Sequence, residues 1–337
     1  MNLENYFISL FENKHIGDDG ALIGAYVYSK DAFFENVHYK TKWMSYYQIA
    51  RKAMLINISD AVAMNAKPKY ALLSVAMPND ISKQQMRELA SGFKDTAAKY
   101  GIEIIGGDTI SNIKLDITIT IISHTKKPLL RSGLRHGYMV ASTGECGKSK
   151  KDLQRLLNLG KLHSKSKFIV IRLRDKFVAN CSRFLSSGMD ISDGLFSDLD
   201  KLAGLNRIGF KFNEKISKTL ACSGEEYEML VAFDKRYKKA LIRRSKQART
   251  PLNIFATSAR VRYTLSTNLH PQYTIEKILD AAEISLLSLL PILIGLGDVT
   301  YVTIDAFDAF GFSGDPDAKG FTDINNTELG GNFAIII

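Results

Sequence analysis

Apolar and polar residues recur along this chain at two periods, and together they predict a mixed set of elements. Through Ile113–Ser123, Leu115, Ile117, Ile119 and Ile121 alternate with other residues, the period of a half-buried strand. Shorter apolar runs predict strands at Ala21–Tyr28, Tyr70–Ala76 and Ile102–Ile105. Leu3, Phe7, Leu10 and Phe11 fall on one side of a helix over Leu3–Lys14. Met44–Ala66 predicts a long helix, and Ser82–Tyr100 a second that Gly101 stops. Farther on, strands are predicted at Gly137–Ala141, Phe168–Leu173, Met189–Ile191, Ile208–Phe212, Tyr227–Phe233 and Leu252–Phe255. Helices are predicted at Lys151–Leu159, Asp175–Ser186, after Asp193, and at Lys235–Ser245. Strands and helices mix without regular alternation, so the expected class is α+β rather than a doubly wound sheet.

The alternating strand stops at Thr125-Lys126-Lys127-Pro128, a basic turn containing proline. That predicts one unit over residues 1–127 and a second over 128–270. From Pro271 the text changes: ten acidic residues stand against two lysines, a net −8, while the rest of the chain carries +18. Residues 271–337 therefore read as a separate, divergent acidic tail, in which the sequence identifies no function.

The 337 residues suffice for two cores, and 45% hydrophobic with 24% charged content is ordinary for a globular chain. Three cysteines, Cys146, Cys181 and Cys222, form no CxxC pair. Neither a zinc site nor a disulfide framework is indicated, and free thiols in a reducing cytoplasm are expected. The first residues lack the basic and apolar regions of a secretory signal. Ile284–Gly297, broken by Ser285, Ser288 and Pro291, is shorter than the roughly 20 residues of a membrane span, so no membrane partner is expected. The basic body suits nucleotides and phosphorylated metabolites. Its lysines and arginines lack interleaved aromatic platforms, so no nucleic-acid partner is expected.

Seven aspartates change the picture most. They stand in Gly17-Asp18-Asp19-Gly20, Ser29-Lys30-Asp31, Asn57-Ile58-Ser59-Asp60, Gly106-Gly107-Asp108-Thr109 and Asp190-Ile191-Ser192-Asp193-Gly194. Carboxylates gathered at the ends of buried elements are costly without cations, and hard oxygen ligands suit Mg²⁺ beside nucleotide phosphates. Each segment has a plainer reading when taken alone. Gly-Asp-Asp-Gly makes an ordinary hairpin turn, and Ser192 or Asp193 caps a helix. Gly-Gly-Asp-Thr, placed after a strand, lets backbone approach a phosphate. Gly147-Lys148-Ser149 ends like a Walker A loop, but Ser142 stands where that loop requires its first glycine.

Taken in order, these segments resemble the thiamine-monophosphate kinase family, within the larger ATP-binding group that includes aminoimidazole ribonucleotide synthetase and selenophosphate synthetase. The matching text is Ile16-Gly17-Asp18-Asp19, Asp31-x6-His38, and Asn57-Ile58-Ser59-Asp60-x3-Met64-x-Ala66-x-Pro68. It continues through Gly106-Gly107-Asp108-Thr109, Arg131-Ser132-Gly133, Asp190-Ile191-Ser192-Asp193-Gly194-Leu195-x2-Asp198-Leu199 and Ser223-Gly224-Glu225-Glu226-Tyr227-Glu228. The resemblance spans roughly residues 10–260.

It implies an α+β fold similar to aminoimidazole ribonucleotide synthetase, paired as a homodimer through the first unit, with the second covering the nucleotide. It implies ATP as co-substrate and thiamine phosphate as acceptor. Mg²⁺ would be held by Asp19, Asp31, Asp60, Asp108, Asp190 and Asp193, with Ser29 and backbone oxygen near Lys30. Asp190, Asp193 and Asp108 would be the catalytic set. Tyr100, Gly107, Asp108, Arg131 and Ser192 would line the ATP site, and His38 and Glu225 would contact thiamine phosphate. The family's Gly-Tyr-Asp-His-Phe-like ending, which helps cover the thiamine, is not evident, and the acidic tail takes its place. Two other readings remain open: a related enzyme with a different acceptor, and an impaired Mg-ATP-binding protein.

Overall fold

Two serines start the helices that organise the first half of the chain. Ser45 accepts a hydrogen bond from the Gln48 amide while the Gln48 side chain returns to the Ser45 amide, opening α2. Ser82 and Gln85 repeat this device at the start of α3. The computed structural model describes residues 3–11 and 13–260. The acidic tail, with its apolar segment Tyr273–Leu296, lies outside the described residues.

The first half holds α1 (Leu3–Ser9), β1 (Ala21–Ile23), β2 (Tyr26–Phe34), α2 (Tyr46–Ala63), β3 (Lys67–Pro78), α3 (Lys83–Tyr100), β4 (Glu103–Asn112) and β5 (Asp116–His124). Its sheet runs β1-β2-β5-β3-β4, antiparallel except for β3–β4, which α3 connects as a crossover. The alternation read in β5 is real: Ile117, Ile119 and Ile121 are buried on the face toward α2. Helix α2 is buried at most of its positions, because it lies between this sheet, α3 and the second half. At its end Asn65 takes a left-handed conformation and Ala66 bonds back to the Ala61 carbonyl, which terminates the helix.

The second half holds β6 (Met139–Thr143), α4 (Lys148–Leu157), α5 (Asp175–Cys181), β7 (Ser187–Asp190), α6 (Leu195–Asn206), β8 (Gly209–Phe212), α7 (Lys218–Ala221), β9 (Met229–Phe233), α8 (Lys238–Gln247) and β10 (Leu252–Ala259). Its sheet, ordered β7-β9-β6-β10-β8, is antiparallel throughout. Val231 and Phe233 face a core that continues into α2, while Leu230 and Ala232 face a second core built with α6. The class is therefore α+β, as the sequence predicts. No helix among the described residues is long and apolar enough to cross a membrane, and all three cysteines are free.

Several predicted elements differ. Ala21–Tyr28 is not one strand: the chain turns at Gly24, φ 61°, and β1 pairs antiparallel with β2. The helix from Asp175 ends at Cys181 instead of Ser186. The first helix ends at Ser9 instead of Lys14. Phe168–Leu173 is not a strand: Ile169 and Val170 bond back to the Ser166 carbonyl, and the buried apolar residues meet the core from a turn. Strand β4 does not stop at Ile105 but carries Gly106-Gly107-Asp108-Thr109 inside it, parallel to β3. A side chain at Gly107 would put its Cβ 1.6 Å from the Leu73 carbonyl oxygen, so this glycine is demanded by the neighbouring strand.

Candidate active site

Helix α2 delivers three polar groups to its surroundings within four residues. Asn57 accepts the Asp31 amide of β2 on Oδ1 at 2.8 Å and donates to the Ala53 carbonyl at 2.9 Å. Its carbonyl accepts the Ser29 hydroxyl at 3.3 Å. Ser59 donates to Asp190 Oδ2 at 2.5 Å, tying α2 to the end of β7. Asp60 follows. Asn57 and Asp60 lie three residues apart and share a helix face, which is the structural meaning of the Asn-Ile-Ser-Asp text.

Asp19 arrives from the bend before β1. Its Oδ1 accepts two hydrogen bonds from Arg131, Nε at 3.1 Å and Nη2 at 2.5 Å, while Asp18 accepts the Arg131 amide at 2.7 Å. The Arg131 carbonyl in turn accepts Ser187 Oγ and Asn206 Nδ2. The bend is thus pinned to the segment joining the two sheets.

Asp19, Asp60 and Asp190 converge, with one carboxylate oxygen of each inside a 4.8 Å group. Burial raises the pKa of Asp60 well above the usual carboxylate range, and the charges of Asp31, Asp190 and Asp19 raise it further. Burial and Asp19 likewise raise Asp190, against the Ser59 hydrogen bond. Asp31 is pushed up to about 6 by burial, then by Asp19 and Asp193. Asp19 is raised by burial although Arg131 opposes the shift. Its second oxygen, Oδ2, is buried without a hydrogen-bond partner. An orphaned carboxylate oxygen beside two more carboxylates is the hard donor set a divalent cation takes, so these residues fit Mg²⁺.

Around this centre lies a second tier. Lys201 pairs with Asp193, and with Asp198 at 3.1 Å. Asp198, which the family text also contains, is fully buried and accepts the Gly194 amide. Burial pushes its pKa up to about 7 against the pull of Lys201. The capping alternative for Ser192 or Asp193 does not hold: Gly194 is the cap residue of α6, and no side chain caps it.

His38 and Glu225 lie together beside Lys52. The His38 Nδ1 accepts the Phe34 amide at 3.0 Å, and its ring sits 5.7 Å from that of Phe33. Glu225 accepts Lys52 Nζ at 2.7 Å. Burial lowers the His38 pKa, with Glu225 opposing and Lys52 adding to that effect.

Three predicted residues stand apart in the described residues. Asp31 aligns across the sheet with Ile119, Leu73 and Gly107, whereas Asp108 aligns with Ser74. Asp108 therefore projects from the sheet face opposite Asp31, is exposed, and accepts its own neighbour's amide at Thr109. Lys30 is exposed on that same outer face. Tyr100 ends α3 near Asp175 and Arg51, its hydroxyl pushed up to about 12 by burial. The Gly-Lys-Ser loop is also filled from within. The amides of Gly147 and Ser149 donate to Glu226 Oε1 at 2.7 and 3.2 Å, where a Walker loop would hold phosphate.

Sequence reading passed over Lys52 and Lys201. Lys52 had a signal: a charged residue amid Ile49, Ala50, Ala53, Met54, Leu55 and Ile56 on an apolar helix requires a buried partner.

Residues 17–124 match the family described as AIR synthase related protein, N-terminal domain. Thiamine-monophosphate kinase from Bacillus subtilis is 33% identical over 60% of this chain and 67% of its own length. The enzyme of that name from Leptospira interrogans is 31% identical over 60% of this chain and 73% of its own. Among solved structures, AaThiL complexed with AMPPCP and TMP superposes with a TM-score of 0.67 at 22% identity, covering 77% of this chain and 90% of that one. At that identity the structural match speaks for the fold.

Proposed function

The chain belongs to the thiamine-monophosphate kinase family, and from that premise we propose that it transfers the terminal phosphoryl group of ATP to thiamine phosphate, giving thiamine diphosphate and ADP, at a Mg²⁺-loaded carboxylate site. The observation that carries this reading is the convergence of Asp19, Asp60 and Asp190 from three separate elements around an unpartnered, buried carboxylate oxygen. Asp31 and Asp193 extend the cluster toward β2 and α6. Asp108, on the outer face of the sheet, remains a proposed ligand and catalytic residue.

In this reaction an oxygen of the thiamine phosphate forms the new P–O bond as the bond to the ADP oxygen breaks. That oxygen needs no strong base, because the second pKa of a phosphate monoester is about 6. When bound, Mg²⁺ supplies charge neutralisation and alignment for the two anionic reactants. The chain supplies the rest. Ser59 fixes the Asp190 carboxylate, Asn57 fixes the Asp31 backbone, and Arg131 fixes Asp19. Arg131 and Ser192, at the same end of the fold, are proposed to line the ATP site with Tyr100 and Gly107. His38, whose Nδ1 is occupied by the Phe34 amide, offers Nε2–H as a donor in its neutral form. His38 and Glu225 are proposed to contact thiamine phosphate.

Two separate sheets support the division into a metal-binding unit over 1–127 and a covering unit over 128–270. A homodimer through the first sheet is supported by exposed Ile23, Tyr26, Tyr28, Tyr70 and Leu72 on its outer face. Free thiols accord with a cytoplasmic enzyme, and cell fractionation that recovers the chain elsewhere would remove that part. The test of the reaction is chromatography of products from Mg-ATP supplied with thiamine phosphate or with other phosphate monoesters. Thiamine diphosphate as the dominant product supports the reading, and turnover confined to another acceptor overturns it.

A further inference from the structure

We infer that Lys52 is a positioning residue that fixes Glu225 as the recognition group for the cationic, amino-bearing part of the phosphate acceptor. This rests on the acceptor reading above. Lys52 lies mid-way along α2, and its side chain is 1% exposed against 25% for Glu225. An ammonium is costly to bury without partners. It has two kinds here. Nζ donates to Glu225 Oε2 at 2.7 Å, and it lies 3.8 Å from the ring centre of Phe168 and 5.5 Å from that of Phe33. The lysine is enclosed while its carboxylate partner stays half-open, so the pair faces one way.

With Oε2 held by Lys52, Oε1 makes no hydrogen bond among the described residues and is the acceptor left for a ligand. The backbone of Glu225 is held as firmly. It sits at φ 52°, in the left-handed region that glutamate rarely adopts, and its amide donates to the Ser192 carbonyl at 2.6 Å. Lys52 at the side-chain end and Ser192 at the backbone end therefore fix this carboxylate beside the Asp190–Gly194 segment. The same neighbourhood offers the His38 donor, while the buried rings of Phe33 and Phe168 face the lysine itself and hold its ammonium in place. An open carboxylate oxygen that accepts, beside one N–H donor, suits the cationic, amino-bearing part of the acceptor assigned above.

Calorimetric titration of the whole chain with thiamine phosphate, and separately with Mg-AMPPCP, tests this without turnover. Lys52→Met keeps the length and apolar stem and removes the charge. It is expected to weaken thiamine phosphate binding about 10- to 100-fold, the range of one charged hydrogen bond, with Mg-AMPPCP binding held within about threefold. Combined with Glu225→Gln it is expected to cost no more than Glu225→Gln alone, because the lysine acts through the glutamate. If Lys52→Met does not fold, Lys52→Gln, which keeps an amide NH2 donor without the charge, takes its place and is expected to lose less affinity than Glu225→Gln. Unchanged thiamine phosphate binding, fully additive losses, or equal weakening of Mg-AMPPCP overturns the inference alone. A parent chain that binds Mg-AMPPCP but not thiamine phosphate overturns the acceptor reading, and the inference with it.

Discussion

Replacing Asp60 with asparagine should stabilise the metal-free protein while removing its response to Mg²⁺. One carboxylate oxygen from each of Asp19, Asp60 and Asp190 lies within 4.8 Å of the others. Two unit negative charges at that separation repel by about 3.5 kcal/mol at an effective dielectric of about 20. Proton uptake relieves part of this, and the raised pKa of Asp60, caused first by burial and then by Asp31, Asp190 and Asp19, is that relief expressed as titration. Asparagine keeps the shape and discards the charge, so roughly 1–3 kcal/mol of destabilisation should disappear at neutral pH. A chain of this size melts about 2–4 °C higher per kcal/mol gained. The assay is thermal unfolding of parent and Asp60→Asn, each in chelator and in Mg²⁺. The parent should start lower and rise with Mg²⁺; the variant should start higher and rise little. A variant that melts several degrees below the parent in chelator, yet keeps the full Mg²⁺ shift, would refute the reasoning.

Two further outcomes follow from the same geometry. Asp31 and Asp198, with folded pKa values of about 6 and 7 against a usual 3.8, bind protons more tightly when folded. Their contribution to stability is therefore present at low pH and lost as pH rises through those values, so metal-free protein should melt higher at pH 5.5 than at pH 7.5. A melting temperature that climbs steadily across that interval would contradict the buried-carboxylate account. On the outer face of the first sheet, Leu72→Glu should convert a two-chain particle to a one-chain particle in light scattering. A parent already at one-chain mass removes the dimer proposal.

Much of this arrangement was legible in the text because it is local. The alternation Leu115, Ile117, Ile119 and Ile121 identifies a strand buried on one face, and Gly101 and Ser82 mark the ends of α3. The Asn57-Ile58-Ser59-Asp60 spacing places its polar groups on adjoining helix faces before any coordinates are known. What was not legible has the opposite character. Phe168–Leu173 looks like a strand because burial and β-structure leave the same apolar run, and only the pairing partner distinguishes them. The close approach of Gly107 to Leu73 of β3 was hidden for the same reason, and it leaves the proposed place of this glycine at the nucleotide standing. The side of the sheet that Asp108 occupies depends on register with β3, which its own motif does not encode. Lys52 and Glu225 meet across 173 residues of sequence, a separation no local pattern spans.

The most direct measurement is an end-point assay of the purified chain with Mg-ATP and thiamine phosphate, run beside Asp190→Asn and resolved by chromatography. Asp190 is 2% exposed, is held by Ser59, and stands in the converging carboxylate group. The account predicts thiamine diphosphate from the parent and loss of turnover by at least about a hundredfold in the variant, with its fold intact by circular dichroism. Near-normal turnover in a folded Asp190→Asn would contradict it.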